Sequence, residues 1–208
     1  MNKNVIILGA GGHAKVIADI VEKNGDNVVG FLDDNEDNQN KIIYKDKKVI
    51  GKIKDALFCE STEFIIAIGS NAIRKKIAEQ YNLNWYTAIH PSAIVANEVT
   101  IGIGTVVTAN AVINPGTKIG QHCIINTSSS VDHDNVIEDF VHISPGATLA
   151  GTVTIKELTW ICAGATVINN ITIEKNNVIG AGAVVVKDII DNNKTYIGVP
   201  AKELQKNK

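Results

Sequence analysis

Proline is scarce, four in 208 residues, and no apolar run approaches the roughly 18 residues that a membrane span needs. The formal charge is −2 with no long basic run, so neither a membrane nor a nucleic acid is an expected partner. Cysteine is equally sparse. Cys59, Cys123 and Cys162 are odd in number with no close pair, which argues against a disulfide framework or a CxxC metal site and leaves three expected thiols. The opening MNKNVIILGAGGH carries a short apolar run, but it leads into a glycine turn with no cleavage site and is not expected to be a signal peptide. At 45% apolar residues the chain can bury a substantial core as one or two domains, which excludes disorder, and the expected location is the cytoplasm.

What is abundant is a repeat. From Ile89 through Val95, Ile101, Val107, Ile113 and onward to Val185, every sixth residue is aliphatic, seventeen times running. Ile, Leu and Val make up 60 of the 208 residues, so chance would produce this on the order of once in 10⁹ trials per register. Four positions after each member lies a second series (Ala93, Val99, Thr105, Ala111, Thr117, Cys123, Ser129 and onward) that is mostly small, as tight corners require. A six-residue period fits neither a helix nor an ordinary strand. It fits a prism of very short strands, three hexads to a coil, with residues eighteen apart stacked about 4.8 Å apart by parallel pairing. Residues 89 to 185 then make roughly five and a half coils with no inserted loop.

The first 84 residues read differently. Asn4 to Leu8 is a strand running into Gly9-Ala10-Gly11-Gly12-His13 and a helical pattern that stops near Gly25. Glycines there let backbone N–H groups approach a phosphate at a helix start. A strand from Val28 to Leu32 ends in Asp33-Asp34, where carboxylates can accept hydrogen bonds from a ribose or base, and a strand from Phe64 to Ile68 ends in Gly69-Ser70-Asn71 before a helix carrying Arg74. Three such ends on one sheet edge predict a crevice. The third spaced glycine of the dinucleotide fingerprint is missing, so an NAD site is disfavoured, and glycines serving only a tight turn are the plain alternative.

Five histidines are present: His13, His90, His122, His133 and His142. None has the close spacing of a zinc site, and no metal is expected. In the sequence VDHDN, His133 is flanked by Asp132 and Asp134, which suits a general base oriented by a carboxylate; a solvated turn is the alternative. Coil arithmetic stacks His133 against Gly151 on the next coil, where a bare backbone N–H can stabilise an oxyanion. His142 lies half a coil from His133, so one site containing both needs two chains.

The hexads, with IGIGTVV and VIGAGAVVVKDI as examples, resemble the hexapeptide acyltransferases, whose β-helices are left-handed; the carbonic anhydrases and nucleotidylyltransferases that share the coil stay open for the reaction. The order GAGGH, FLDD, IAIGSN, VDHDN, IGVPAK resembles, over nearly the whole chain, the sugar acetyltransferases of bacterial amino-sugar and sialic acid pathways, the bacillosamine type most closely. This resemblance implies an α/β Rossmann-like domain (1–84) for a nucleotide sugar, a left-handed parallel β-helix (85–190) for acetyl-CoA, and a cap (191–208). It implies acetyl transfer to the amine of a UDP-linked 4-amino sugar, with Asp134 as partner of His133 and with homotrimers whose active sites lie between subunits. The glycine turn (Gly9, Gly11, Gly12, His13), Asp33, Asp34, Gly69 and Ser70 fall to the substrate. Asn126 and His142 fall near acceptor or acetyl group, residue 144 stacking on 126; an asparagine ladder and a packed histidine are their alternatives. Ala163 and Ala181, eighteen apart, fall to coenzyme A along a groove. O-acetylation of sialic acid and a non-catalytic trimeric scaffold are the competing functions.

Overall fold

The computed structural model describes residues 2–59 and 62–205, in two compact units, Met1–Pro91 and Ser92–Lys208. The first is built on strands β1 (Asn4–Leu8), β2 (Asn27–Leu32), β3 (Ile42–Tyr44), β4 (Lys47–Gly51) and β5 (Glu63–Ile66), in the order β3-β4-β2-β1-β5. All pairs are parallel except β3 with β4. Parallel central strands are covered on both faces, which is why Val5 to Leu8 form an unbroken aliphatic run and are all buried. Helix α1 (Gly12–Lys23) buries Ala14, Ile17, Ala18, Ile20 and Val21 on one stripe. It ends at Gly25, whose φ of +81° suits glycine and whose N–H bonds the Glu22 carbonyl. Helix α2 (Asn71–Gln80) is capped by Ser70, which accepts from Ile73 N, and buries Arg74 and Ile77.

The third expected strand ends two residues early, at Ile66, and the β3–β4 hairpin was not expected. The first unit also continues past residue 84. Phe64 bonds both Asn84 O and Tyr86 N, and the Tyr86 hydroxyl donates to Asp26, so Asn84 and Tyr86 are tied to this unit.

The second unit is the coil. Two-residue strands recur every six residues from Ile94–Val95 to Val184–Val185, and each pairs in parallel with the strand eighteen residues away, Val112 with Ser130 and Ser130 with Thr148, for example. From Val107 to Val185 every repeat aliphatic is buried. Val95 and Ile101 are half-buried because no coil covers that end. The small series lines the corners inside: Thr105, Ala111, Thr117, Cys123 and Ser129 are fully buried. Each corner turns on a residue with positive φ, at Glu98, Gly104, Asn110, Gly116, His122, Ser128, Asp134, Phe140 and on to Gly182. Most are not glycine, and a left-handed conformation costs roughly 1 kcal/mol or more apiece. The ladder bonds that each corner closes offset it. Beyond Val185, Thr195–Ile197 pairs with the strand Val178–Ile179 and then with Lys202–Glu203, so the tail finishes a sheet edge.

Candidate active site

His133 and Asp134 occupy one corner of the coil. The positive φ of Asp134, +58°, turns its carboxylate back onto His133, and Nδ1 of the ring lies 2.8 Å from Asp134 Oδ2. A carboxylate only accepts, so Nδ1 carries the proton and Nε2 keeps its lone pair. Both side chains are more than half exposed. The bond to Asp134 raises the imidazole pKa above its usual value, against a desolvation penalty and with further help from the charge of Asp132.

Gly151 lies over this ring. A Cβ built on Gly151 would stand 2.6 Å from Cε1 and Nε2 of His133, so only glycine leaves the ring where it is. Gly151 is buried, its carbonyl accepts from Asn170 N, and its N–H has no partner among the described residues. The corner therefore offers a proton acceptor and a backbone donor on adjacent coils.

Asn126 and His142 meet on a separate wall. Thr127 N donates to Asn126 Oδ1 at 2.8 Å, which leaves Asn126 Nδ2 to face His142 Nε2 at 3.1 Å. The imidazole thus accepts at Nε2 and carries its proton on Nδ1. Trp160, one rung on, stacks on His142 at 5.7 Å and donates from Nε1 to Ser144 Oγ at 2.7 Å. The sequence reading placed residue 144 on Asn126 but gave Ser144 no role, and it missed Trp160, whose only signal was its offset of eighteen from His142. Ala163 and Ala181 lie exposed at a third place, on successive coils of one corner. Cβ atoms built on their neighbours Gly164 and Gly182 would meet nothing within 4 Å.

In the first unit, Gly9 packs so closely on β5's end that a Cβ would lie 3.0 Å from Ile68 and 3.2 Å from the Ala67 carbonyl. Gly11, Gly12 and Gly69 face open space. The two aspartates are engaged with backbone. Asp33 accepts from Ala10 N (2.8 Å) and Asn35 N (2.9 Å), and Asp34 from Ile53 N (2.9 Å). They shape a cleft of about 300 Å³ bordered also by Asn35, Ile68, Ile73 and Tyr81. His13 is held neutral, its pKa lowered to about 4 by burial first and by Arg74 second, and its Nε2 is buried without a partner. Arg74 is itself buried and donates to the carbonyls of Ile68 and Gly69 and to Asn71 Oδ1. Among the described residues no three His, Cys, Asp or Glu side chains gather as a metal site requires.

A parallel six-residue-repeat coil that follows an α/β unit in the chain is the architecture of the hexapeptide-repeat proteins. Residues 4–81 match the PglD N-terminal domain family. The acetyltransferase domain of PglB from Neisseria gonorrhoeae, solved with acetyl coenzyme A, is 37% identical with a TM-score of 0.92, covering 98% of this chain and 100% of that one. A mutant perosamine N-acetyltransferase from Caulobacter crescentus, solved with CoA and GDP-perosamine, is 34% identical with a TM-score of 0.90, covering 98% and 97%. UDP-N-acetylbacillosamine N-acetyltransferase of Bacillus subtilis is 39% identical over 114 residues, 51% of this chain and 52% of that protein. An uncharacterized protein of Acanthamoeba polyphaga mimivirus is 37% identical over 104 residues, 50% of this chain and 21% of that protein. The match therefore spans about half the length of one curated relative and about a fifth of the other. The chain belongs to the hexapeptide-repeat sugar acetyltransferase family. No helix among the described residues is long and apolar enough to cross a membrane.

Proposed function

We propose that this protein acetylates the amine of a nucleotide-linked 4-amino-4,6-dideoxy sugar, a UDP-sugar by preference, with acetyl-CoA as donor and no covalent enzyme intermediate. The observation that carries the reading is the His133–Asp134 contact at 2.8 Å beneath the bare amide of Gly151. The ammonium of the sugar gives a proton to Nε2 of His133, and the freed nitrogen attacks the thioester carbonyl. The Gly151 N–H donates to the oxyanion, and the C–S bond then breaks. The coenzyme A thiolate leaves and takes the second proton of the nitrogen, which becomes the neutral amide, while His133 returns the first proton to solvent. Asp134 holds the ring's tautomer and stabilises its charged form, as the carboxylate of a serine-hydrolase triad does.

His142, its tautomer set by Asn126, is assigned near the acceptor or the acetyl group. It lies on another wall from His133, so we assign complete sites to a homotrimer in which neighbouring coils face each other. Coenzyme A then runs past the smooth corner at Ala163 and Ala181. In the first unit the open glycines and the neutral His13 suit a diphosphate, and the cleft beside Asp33 and Asp34 suits a base. Free acetyl-CoA as donor places the reaction in the cytoplasm.

Thiol release assayed with UDP-, GDP- and dTDP-linked 4-amino sugars and with free sialic acid tests this. Turnover with the UDP-amino sugar is expected. Turnover with sialic acid alone would make the protein an O-acetyltransferase, and no thiol release with any acceptor would make it a scaffold. A monomer in sedimentation that is fully active would overturn the shared site.

A further inference from the structure

His133 projects from an exposed corner, yet a base must be held to within about half an ångström to work. Its bond to Asp134 fixes the ring's tautomer but not the backbone on which the ring turns. That backbone is held at its carbonyl by Thr152 N, at 3.0 Å, and at its N–H by Asp132. Asp132 Oδ1 accepts the His133 N–H at 2.8 Å, and the same oxygen accepts Asn114 Nδ2 at 2.8 Å from the preceding coil. Asn114 stacks on Asp132 because Val112 and Ile113 pair with Ser130 and Val131. From inside, the Asp132 carbonyl accepts Thr117 Oγ1 and Asn135 Nδ2.

This is not a ladder that stiffens the coil generally. The column reads Ala96, Asn114, Asp132, Ala150, Ile168, Val186, so the polar pair stands only at the rung of His133. We propose that Asn114 and Asp132 are positioning residues for the base: Asn114 holds Asp132, and Asp132 pins the His133 backbone while keeping a fixed negative charge beside the imidazole. The proposal rests on His133 being the base. The charge is secure, because the bond from Asn114 and then that from His133 N hold the Asp132 carboxyl below its usual range. The titratable groups facing His133 are Asp132 and Asp134. The adjacent coils present Pro115, Gly116, Gly151 and Thr152 to this corner, none of them charged.

Asp132→Asn keeps an acceptor and loses the charge; Asp132→Ala loses both; Asn114→Ala removes the holder. In Asp132→Asn the NMR titration of His133, assigned with His133→Gln, is expected to move to lower pH. The acid limb of kcat/KM moves with it, while plateau kcat and coenzyme A affinity stay within about threefold. Asp132→Ala and Asn114→Ala are expected to lower plateau kcat roughly tenfold by letting the base wander, with KM little changed. A merely structural role would lower Tm and leave the titration and the limb in place, and an unmoved His133 titration in Asp132→Asn overturns the proposal. Full activity of His133→Gln would instead overturn the general-base reading, and the NMR shift tells the two failures apart.

Discussion

Gly151 and His133 are one coil apart and nearly in contact: the hydrogen that glycine carries in place of Cβ is what gives the imidazole its position. Gly151→Ala puts a methyl 2.6 Å from the ring, but the ring is the movable end of an exposed side chain and can swing away. Stability is therefore expected to change by less than about 1 kcal/mol, while kcat falls at least tenfold because the base leaves its place. Thermal melts and steady-state kinetics on the same preparation check both halves.

His133→Ala is expected to lower kcat by roughly 10²-fold or more and leave coenzyme A binding nearly intact, the usual size for loss of a general base. Calorimetry with coenzyme A alongside thiol-release kinetics decides it; unchanged turnover would remove His133 from the reaction.

The pH dependence of turnover has a definite sign. Asp134 raises the His133 pKa, and only the neutral ring can take a proton, so activity falls as pH drops through that raised value. Asp134→Asn takes away the raising partner, so the acid limb shifts to lower pH, and plateau kcat falls because the tautomer is no longer fixed.

His13 gives a second pH signature, in stability. Its folded pKa of about 4 lies below the ordinary 6.5, so the folded form resists protonation. Its stabilising share is complete above 6.5 and is lost as pH falls from 6.5 toward 4, a loss of up to about 3 kcal/mol. Urea melts between pH 7 and 4 should show this slope, and His13→Gln should flatten it.

Asn126→Ala removes the donor to His142 Nε2 and frees the ring to take either tautomer. The ¹⁵N shifts of His142 are expected to change from a pure Nδ1–H form to a mixture, and kcat to fall roughly tenfold.

The coil was legible because its inward positions leave no choice. Ile113, Ile125 and Ile143 sit where only a mid-sized aliphatic fits, so the six-residue period shows in the letters. Outward positions are free, and so Trp160 and Ser144 carried no mark although they brace His142 and the wall beside it. Asp33 and Asp34 were found by their place at a strand end. That they accept from Ala10 N, Asn35 N and Ile53 N was not legible, since which backbone amide comes within reach depends on loops the pattern does not specify. The β3–β4 hairpin escaped because Ile42–Tyr44 is three residues long and exposes Ile42.

From Ile94 to Val185 each strand of the coil pairs with strands eighteen residues away, and only the tail's rungs depart from that spacing. Such a chain can assemble by accretion, each turn templated by the last, as repeat arrays do. Its length is then a free variable: a segment of eighteen residues could be spliced in or out above His133 as a whole storey. The flank of the coil would grow or shrink while the His133 corner kept its address.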